Sequence, residues 1–160
     1  MKEKRIIDYM TDSVVEELSS DAIEKKMKDW ESVYCPLSKK EKDKIYFNNF
    51  KWHVFSNKAY KSVEGEKAIK AYNEQVSRIF YVIPELKVWP KEKAFMCKSL
   101  PPSELATKLK DFYVFPKNLA WSMAFTHEHG WLGPYFAKHK DFEALSTKNI
   151  QSVEAKNSGW

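Results

Sequence analysis

FYVFPKNLAWSMAFTHEHGWLGPYF, residues 112–136, is the stretch that decides the fold of this chain. It contains three apolar runs separated by two turn signals, at 116–118 and at 130–133. Proline presets φ and asparagine tolerates positive φ, so the first turn predicts a hairpin between strands 111–115 and 119–126. Large side chains at 121, 123 and 125 alternate with small ones, which predicts a helix packed on the small face. Pro134 lacks an N–H group, so 134–137 is predicted as an edge strand.

Upstream of this stretch the pattern alternates between helices and strands. Asp21 with Glu24, and Ser38 with Glu41, have the spacing of a capping box and predict two helix starts. The aromatic segment 50–55 predicts a strand. A helix over 62–77 and an apolar strand over 79–83 follow it, and this βαβ pattern pairs strands in parallel. We therefore expect an α+β domain over residues 1–140, with a mixed sheet of five to six strands and helices packed mainly on one face. Residues 141–160 are predicted to be a polar tail with a short helix.

Composition narrows the class of protein. The chain has 160 residues, 43% of them hydrophobic and 31% charged, which is typical of a soluble globular domain. Its net charge is +5, but only Arg5 and Arg78 of the 27 basic residues are arginines, and the lysines are interleaved with acids. We therefore do not expect nucleic-acid binding. The alternative is a weak nucleic-acid binder that uses the lysine-rich helix after Ser38. Cys35 and Cys97 lack a CxxC partner, and no apolar run suits a signal or membrane segment, so a cytoplasmic location without membrane contact is predicted.

The segment Thr126-His127-Glu128-His129 is the strongest candidate for chemistry. On an extended backbone His127 and His129 point the same way and could bind a metal with His53 or His139 as a third ligand. His127 or Glu128 could instead transfer protons, since histidine titrates near neutral pH. A third interpretation is structural, in which these side chains bond the neighbouring turn. HxH is no metal signature, so we expect no metal and no cofactor.

The chain lacks the phosphate loops and the nucleophile elbow that would indicate a known reaction. It is rich in aromatic residues, at 15%, and exposed aromatic side chains are natural anchors for a partner. The favoured hypothesis is therefore a small binding protein, of the accessory or immunity type, that docks a protein partner. Its candidate binding residues are Trp52, His53, Trp131 and Tyr135. The alternative is an enzyme that uses His127 and Glu128.

The order of several short motifs resembles a known family. These motifs are Leu37-Ser38 with Glu41-Lys42, FKWHVFS at 50–56, EGEKA at 64–68, Tyr72-Asn73, Tyr113-Val114, WSMAFTHE at 121–128 and GPYF at 133–136. They resemble the bacterial family called domain of unknown function 4275, over about residues 30–138. The resemblance implies a related fold and a bacterial cytosolic origin, and no reaction. Lys61-Ser62 stands where the family has a cysteine, and His129 lies outside the shared block, which argues against a cysteine or HxH metal site.

Overall fold

The computed structural model describes residues 5–10, 12–128 and 131–157 of the chain. The chain forms an α+β structure, as predicted. Its helices are α1 (Ile6–Met10), α2 (Ser20–Tyr34), α3 (Lys39–Lys44), α4 (His53–Ser56), α5 (Glu66–Asn73), α6 (Leu105–Lys108) and α7 (Phe142–Asn157). Its strands are β1 (Val14–Glu17), β2 (Val63–Glu64), β3 (Phe80–Pro84), β4 (Phe95–Cys97), β5 (Phe112–Pro116), β6 (Trp121–Phe125) and β7 (Tyr135–Lys138).

Within the described residues the strands form one seven-stranded sheet in the order β1-β4-β3-β5-β6-β7-β2. Every pairing is antiparallel, so the predicted mixed sheet of five to six strands is wrong on both counts. The additional strands are β1, with four residues, and β2, with two. Both lie at the sheet edges and are largely exposed, so their sequences lack the apolar alternation that identifies a half-buried strand.

The predicted parallel βαβ unit fails because its first strand does not form. Residues 53–56 are helical (α4), and Trp52 and Phe55 are buried against the sheet from there. The backbone N–H of Trp52 donates to the hydroxyl of Tyr113 on β5 at 2.8 Å, a contact that a local pattern cannot foresee. A short apolar run does not distinguish a strand from a buried helix, and here tertiary contacts decide.

The hairpin predicted over residues 111–126 is present as β5 and β6. Phe112 lies opposite Phe125, and the carbonyl of Pro116 accepts the turn hydrogen bond from the N–H of Leu119. Positive φ falls on Leu119, at 59°, rather than on Asn118. β7 is not an edge strand, because the two-residue β2 pairs with its outer side.

Helices cover both faces of the sheet, which corrects the expectation of one covered face. On one face α2 and α4 pack through Trp30, Tyr34 and Phe55. On the other, α1 and α5 join α6 and α7 around the large face of β6. The small face of β6 does receive a helix as predicted, since Trp30 Nε1 of α2 donates to Ser122 Oγ at 2.8 Å.

The helix predicted after residue 140 is present and longer than expected. α7 runs for 16 residues, and Phe142 and Leu145 pack against the core face that contains Trp121. The side-chain amide of Asn118 donates to the carbonyl of Leu145 at 3.2 Å, so the β5–β6 turn contacts this helix directly. In the part of the chain that is described, no helix has both the length and the apolar character needed to cross a membrane.

Candidate functional site

Three strand ends bring the candidate residues together at one end of the sheet. β3 ends at Pro84, β5 begins at Phe112 and β6 ends at Phe125, and these residues are paired across the sheet. The residues just outside these strand ends, Glu85, Asp111 and Thr126, therefore lie next to one another. There the backbone N–H of Glu85 donates to the carbonyl of Asp111 at 2.9 Å.

Asp111 is the centre of the site. Its side chain is fully buried, and its backbone is in the left-handed region with φ at 41°. The carboxylate accepts the indole N–H of Trp52 at 2.8 Å and that of Trp89 at 3.0 Å. It also accepts the backbone N–H of His127 at 3.1 Å. Because a buried carboxylate without donors is very costly, these contacts make its burial possible.

The ring of His127 completes the set of donors. Its Nδ1 lies 2.9 Å from both carboxylate oxygens of Asp111, while 30% of the side chain remains exposed. A carboxylate is only an acceptor, so this contact assigns the proton to Nδ1 and leaves Nε2 as the outward nitrogen. Nε2 lies 3.4 Å from Glu128 Oε1 and can donate to it only when both ring nitrogens are protonated.

A second histidine lies beside His127. The ring of His53 is 4.4 Å from that of Trp52, between centroids, and Phe50 contacts both histidine rings. Burial lowers the pKa of His53, and the nearby His127 lowers it further, while Glu128 opposes the shift. The neutral form of the His53 ring is therefore favoured.

A buried network extends behind the site to Glu85, which is 3% exposed. Its carboxylate accepts the hydroxyl of Tyr113 and the backbone N–H of Lys51, and the Lys51 ammonium lies 3.7 Å away. Burial raises the pKa of Glu85, and Lys51 and the Tyr113 hydroxyl partly offset that effect. Since Tyr113 also accepts the N–H of Trp52, hydrogen bonds connect Glu85 to the residue that holds Asp111.

The predicted binding residues occupy different environments. Trp52 and Tyr135 are buried, at 1% and 3% exposure, and burial raises the pKa of the Tyr135 hydroxyl to about 12. Trp131 is 83% exposed and is available to a partner. His53 is partly exposed beside His127, so Trp52 and His53 belong to the histidine site rather than to a surface around Trp131.

The histidines named as metal ligands do not all lie together in the described structure. His129 lies outside the described residues. His139 follows β7, which pairs with the Trp121 end of β6, about 20 Å along the sheet from His127 at 3.3 Å per residue. Its Nδ1 instead accepts the N–H of Asp141 at 2.9 Å. In the described ranges no group of three or more His, Cys, Asp or Glu side chains is placed to hold a metal ion.

Sequence reasoning missed Asp111, Trp89 and Glu85 as site residues. The predicted hairpin, with its turn at 116–118, would pair residue 111 with residue 123 and gave no signal for Asp111, whereas the observed register pairs Phe112 with Phe125. That register puts Asp111 next to Thr126 and within reach of His127. No signal exists for Trp89 either, which reaches the carboxylate from the loop after β3.

The family comparison covers most of the chain. The model of the family described as Domain of unknown function (DUF4275) matches residues 6–136. The chain belongs to this family. The DUF4275 match begins earlier than the resemblance in the motifs and includes α1, β1 and α2, as well as His53, Asp111 and His127. No curated protein and no solved structure matches the chain.

Proposed function

We propose that the protein is an enzyme in which His127 transfers a proton as a general acid–base. The observation that carries this proposal is the contact between His127 Nδ1 and the buried carboxylate of Asp111, with the ring still partly exposed. In Ser-His-Asp triads an aspartate in this position fixes the histidine tautomer and orients the ring. A histidine that served only as packing would not need a buried charge behind it.

The surrounding side chains suit this chemistry. The outward Nε2 of His127 can take a proton from a water molecule or from a substrate hydroxyl. His53, whose lowered pKa favours the neutral ring, supplies a second imidazole beside His127 that can hydrogen-bond a substrate. The nearby carboxylate of Glu128 can stabilise positive charge on His127 after the transfer. Since no nucleophile elbow is present in the sequence, hydrolysis by an activated water is the reaction class that requires the fewest additional groups.

A panel of chromogenic ester, phosphoester and glycoside substrates tests this function. We expect wild-type turnover of one class and a loss of about 100-fold or more in His127→Gln, the usual contribution of a general acid–base. His139→Gln is the matched control, because it removes a histidine at the opposite end of the same strands. Turnover that persists in folded His127→Gln would refute the proposal.

A second candidate function is the docking of a protein partner, which the exposure of Trp131 favours. Large exposed aromatic side chains are frequent hot spots of interfaces. Cross-linking in a native lysate, followed by comparison of wild type with Trp131→Ala, tests this candidate. We expect a partner that is lost in Trp131→Ala and kept in Tyr46→Ala, which removes another exposed aromatic side chain. An identical set of partners in both variants would contradict it.

Two further expectations stay predictions. The hypothesis of nucleic-acid binding through α3 is weakened because the Lys42 ammonium lies 3.5 Å from a carboxylate oxygen of Glu31 and is therefore not free to contact phosphates. Affinity for DNA or RNA that falls steeply with salt would revive it. A cytoplasmic location is supported by Cys35 and Cys97, which are both buried and unpaired.

A further inference from the structure

A cavity of about 480 Å³ is lined in part by Trp89, whose indole N–H donates to Asp111. It is formed by the start of α1, the loop 88–92 and the segment 108–110. This basic pocket, as we call it, has the size of a small-molecule site. The hydrogen bond from Ile6 N–H to Glu92 Oε2, at 3.3 Å, connects α1 to the loop.

Positive charge dominates the lining. The residues that line the cavity include four cationic side chains and one carboxylate, that of Glu92. The cationic residues are Arg5, Lys91, Lys108 and Lys110. All four residues are exposed, and within the described part of the chain none of their charged side-chain groups lies within 4 Å of a carboxylate oxygen. Lys42 on α3 differs in this respect, since its ammonium is paired with Glu31. Unpaired cations around a concavity attract anions, because their fields add in the confined space.

The floor of the basic pocket is apolar and rigid. Ile6 and Leu109 are buried core residues that reach the cavity, at 1% and 9% exposure. Trp89 forms an aromatic wall whose orientation is fixed by its indole N–H bond to Asp111. The ammonium of Lys110 lies 4.9 Å from the centre of the indole ring and is held above this wall. The pocket thus offers separate places for a charged group and an apolar group.

We infer that the basic pocket binds a small phosphorylated organic ligand, with its phosphate among the four cations and its apolar part against Trp89. Lysine ammonium groups bind phosphate as point charges, and several of them suit a group with more than one negative charge. The limited volume of the cavity favours a small molecule over a polymer, since a nucleic-acid strand would need a groove that continues beyond the cavity. This inference does not depend on the proposed catalytic role of His127.

Calorimetric titration of the full chain with ADP, inorganic pyrophosphate, adenosine and citrate tests the inference. We expect saturable one-site binding of ADP and of pyrophosphate, ADP being the tighter, and no binding of adenosine at the same concentrations. In ¹H–¹⁵N spectra the indole N–H signal of Trp89, assigned through Trp89→Phe, should shift on addition of ADP.

Matched charge variants separate a site from general attraction. Lys91→Gln/Lys110→Gln should weaken ADP binding by about tenfold or more, since it removes two of the four positive charges that would contact the phosphate groups. Lys39→Gln/Lys40→Gln removes the same charge from exposed positions on α3 and should leave affinity within about twofold.

Four results would overturn the inference. The first is that neither phosphate compound binds, and the second is that both double variants weaken binding equally. The third is that citrate binds as tightly as pyrophosphate, which would make the pocket an unselective anion site. The fourth is tighter, strongly salt-dependent binding of an oligonucleotide, which would identify a nucleic-acid surface.

Discussion

Replacing Asp111 by asparagine should destabilise the fold markedly, although the substitution only replaces one carboxylate oxygen by an amide NH₂ group. The carboxylate accepts four N–H contacts, from the indoles of Trp52 and Trp89 and from the backbone and ring of His127. Asparagine tolerates the left-handed backbone as well as aspartate does, so the φ of 41° adds no strain. The substitution therefore tests the hydrogen bonds and the charge alone.

The magnitude follows from counting acceptors. An asparagine amide has one accepting oxygen, which can keep the two donors at Oδ1, Trp52 Nε1 and the His127 backbone N–H. Its NH₂ group then faces the indole N–H of Trp89 and leaves that donor without a partner, at about 1–3 kcal/mol. His127 can change tautomer and accept from the amide, so its ring contact survives in a weaker, uncharged form. With the lost charge assistance, the total is about 3 kcal/mol.

Thermal unfolding and urea titration at pH 7 measure this loss. For a chain of this length about 3 kcal/mol corresponds to a fall of about 6–12 °C in Tm. Asp29→Asn, on the exposed face of α2, is the matched control and should remain within about 0.5 kcal/mol of wild type. If Asp111→Asn is as stable as this control, the carboxylate does not hold the loops together and the reasoning is wrong.

Three further perturbations have defined outcomes. Because burial raises the pKa of Glu85, the native state binds the proton of this carboxyl more tightly than the unfolded state does, so the contribution of Glu85 to stability falls as pH rises from about 4.5 through the raised pKa. In urea titrations Glu85→Gln should remove this fall. A difference in stability between the two proteins that stays constant across pH would contradict the prediction. Gly133→Ala should lower the free energy of unfolding by about 3 kcal/mol or more in calorimetry, since the φ of Gly133 is 85° and an added Cβ would come within 2.8 Å of a threonine methyl. Gly65→Ala is the control and should lower it by only about 1 kcal/mol, because φ is 66° there and the space around the Cβ is open. Equal losses would refute the steric account. Ser122→Ala should lower the free energy of unfolding by about 1–3 kcal/mol, because the buried indole N–H of Trp30 loses its acceptor. Trp30→Phe should cost less stability in the Ser122→Ala chain than it costs in the wild-type chain, because the hydrogen bond is already absent there.

Local signals in the sequence were sufficient for many elements of the fold. The capping box at Ser38 and Glu41 is present on α3, and the apolar runs of β3, β5 and β6 are strands. These features depend on neighbours within a few residues. The segment around Trp52 failed because its conformation depends on Tyr113 and Asp111, about sixty positions away in sequence. Sheet order and strand direction are likewise set by contacts between distant residues, which one sequence does not display.

The candidate site was predictable in part for the same reason. His127 and Glu128 could be identified from residue type and position at a strand end. The carboxylate behind His127 required the hairpin register, and the observed one differs by three positions from the one that the turn signal at 116–118 predicts. The indole of Trp89 could not be placed, because the loop after β3 has no periodicity that aims a side chain. Residues that act across the sheet are therefore the ones that a single sequence hides.

A comparison of two stabilities separates a structural from a chemical role for His127. Its backbone N–H bonds Asp111 independently of the ring, so His127→Gln keeps that contact and its amide can donate to the carboxylate in place of Nδ1. The side chain is 30% exposed, so little apolar burial is lost, and the variant should unfold within about 1 kcal/mol of wild type. If the imidazole were present only to neutralise the buried charge, its removal would instead approach the loss in Asp111→Asn. A histidine that stability does not require, held by a carboxylate that stability does require, is the arrangement expected of a group positioned for proton transfer.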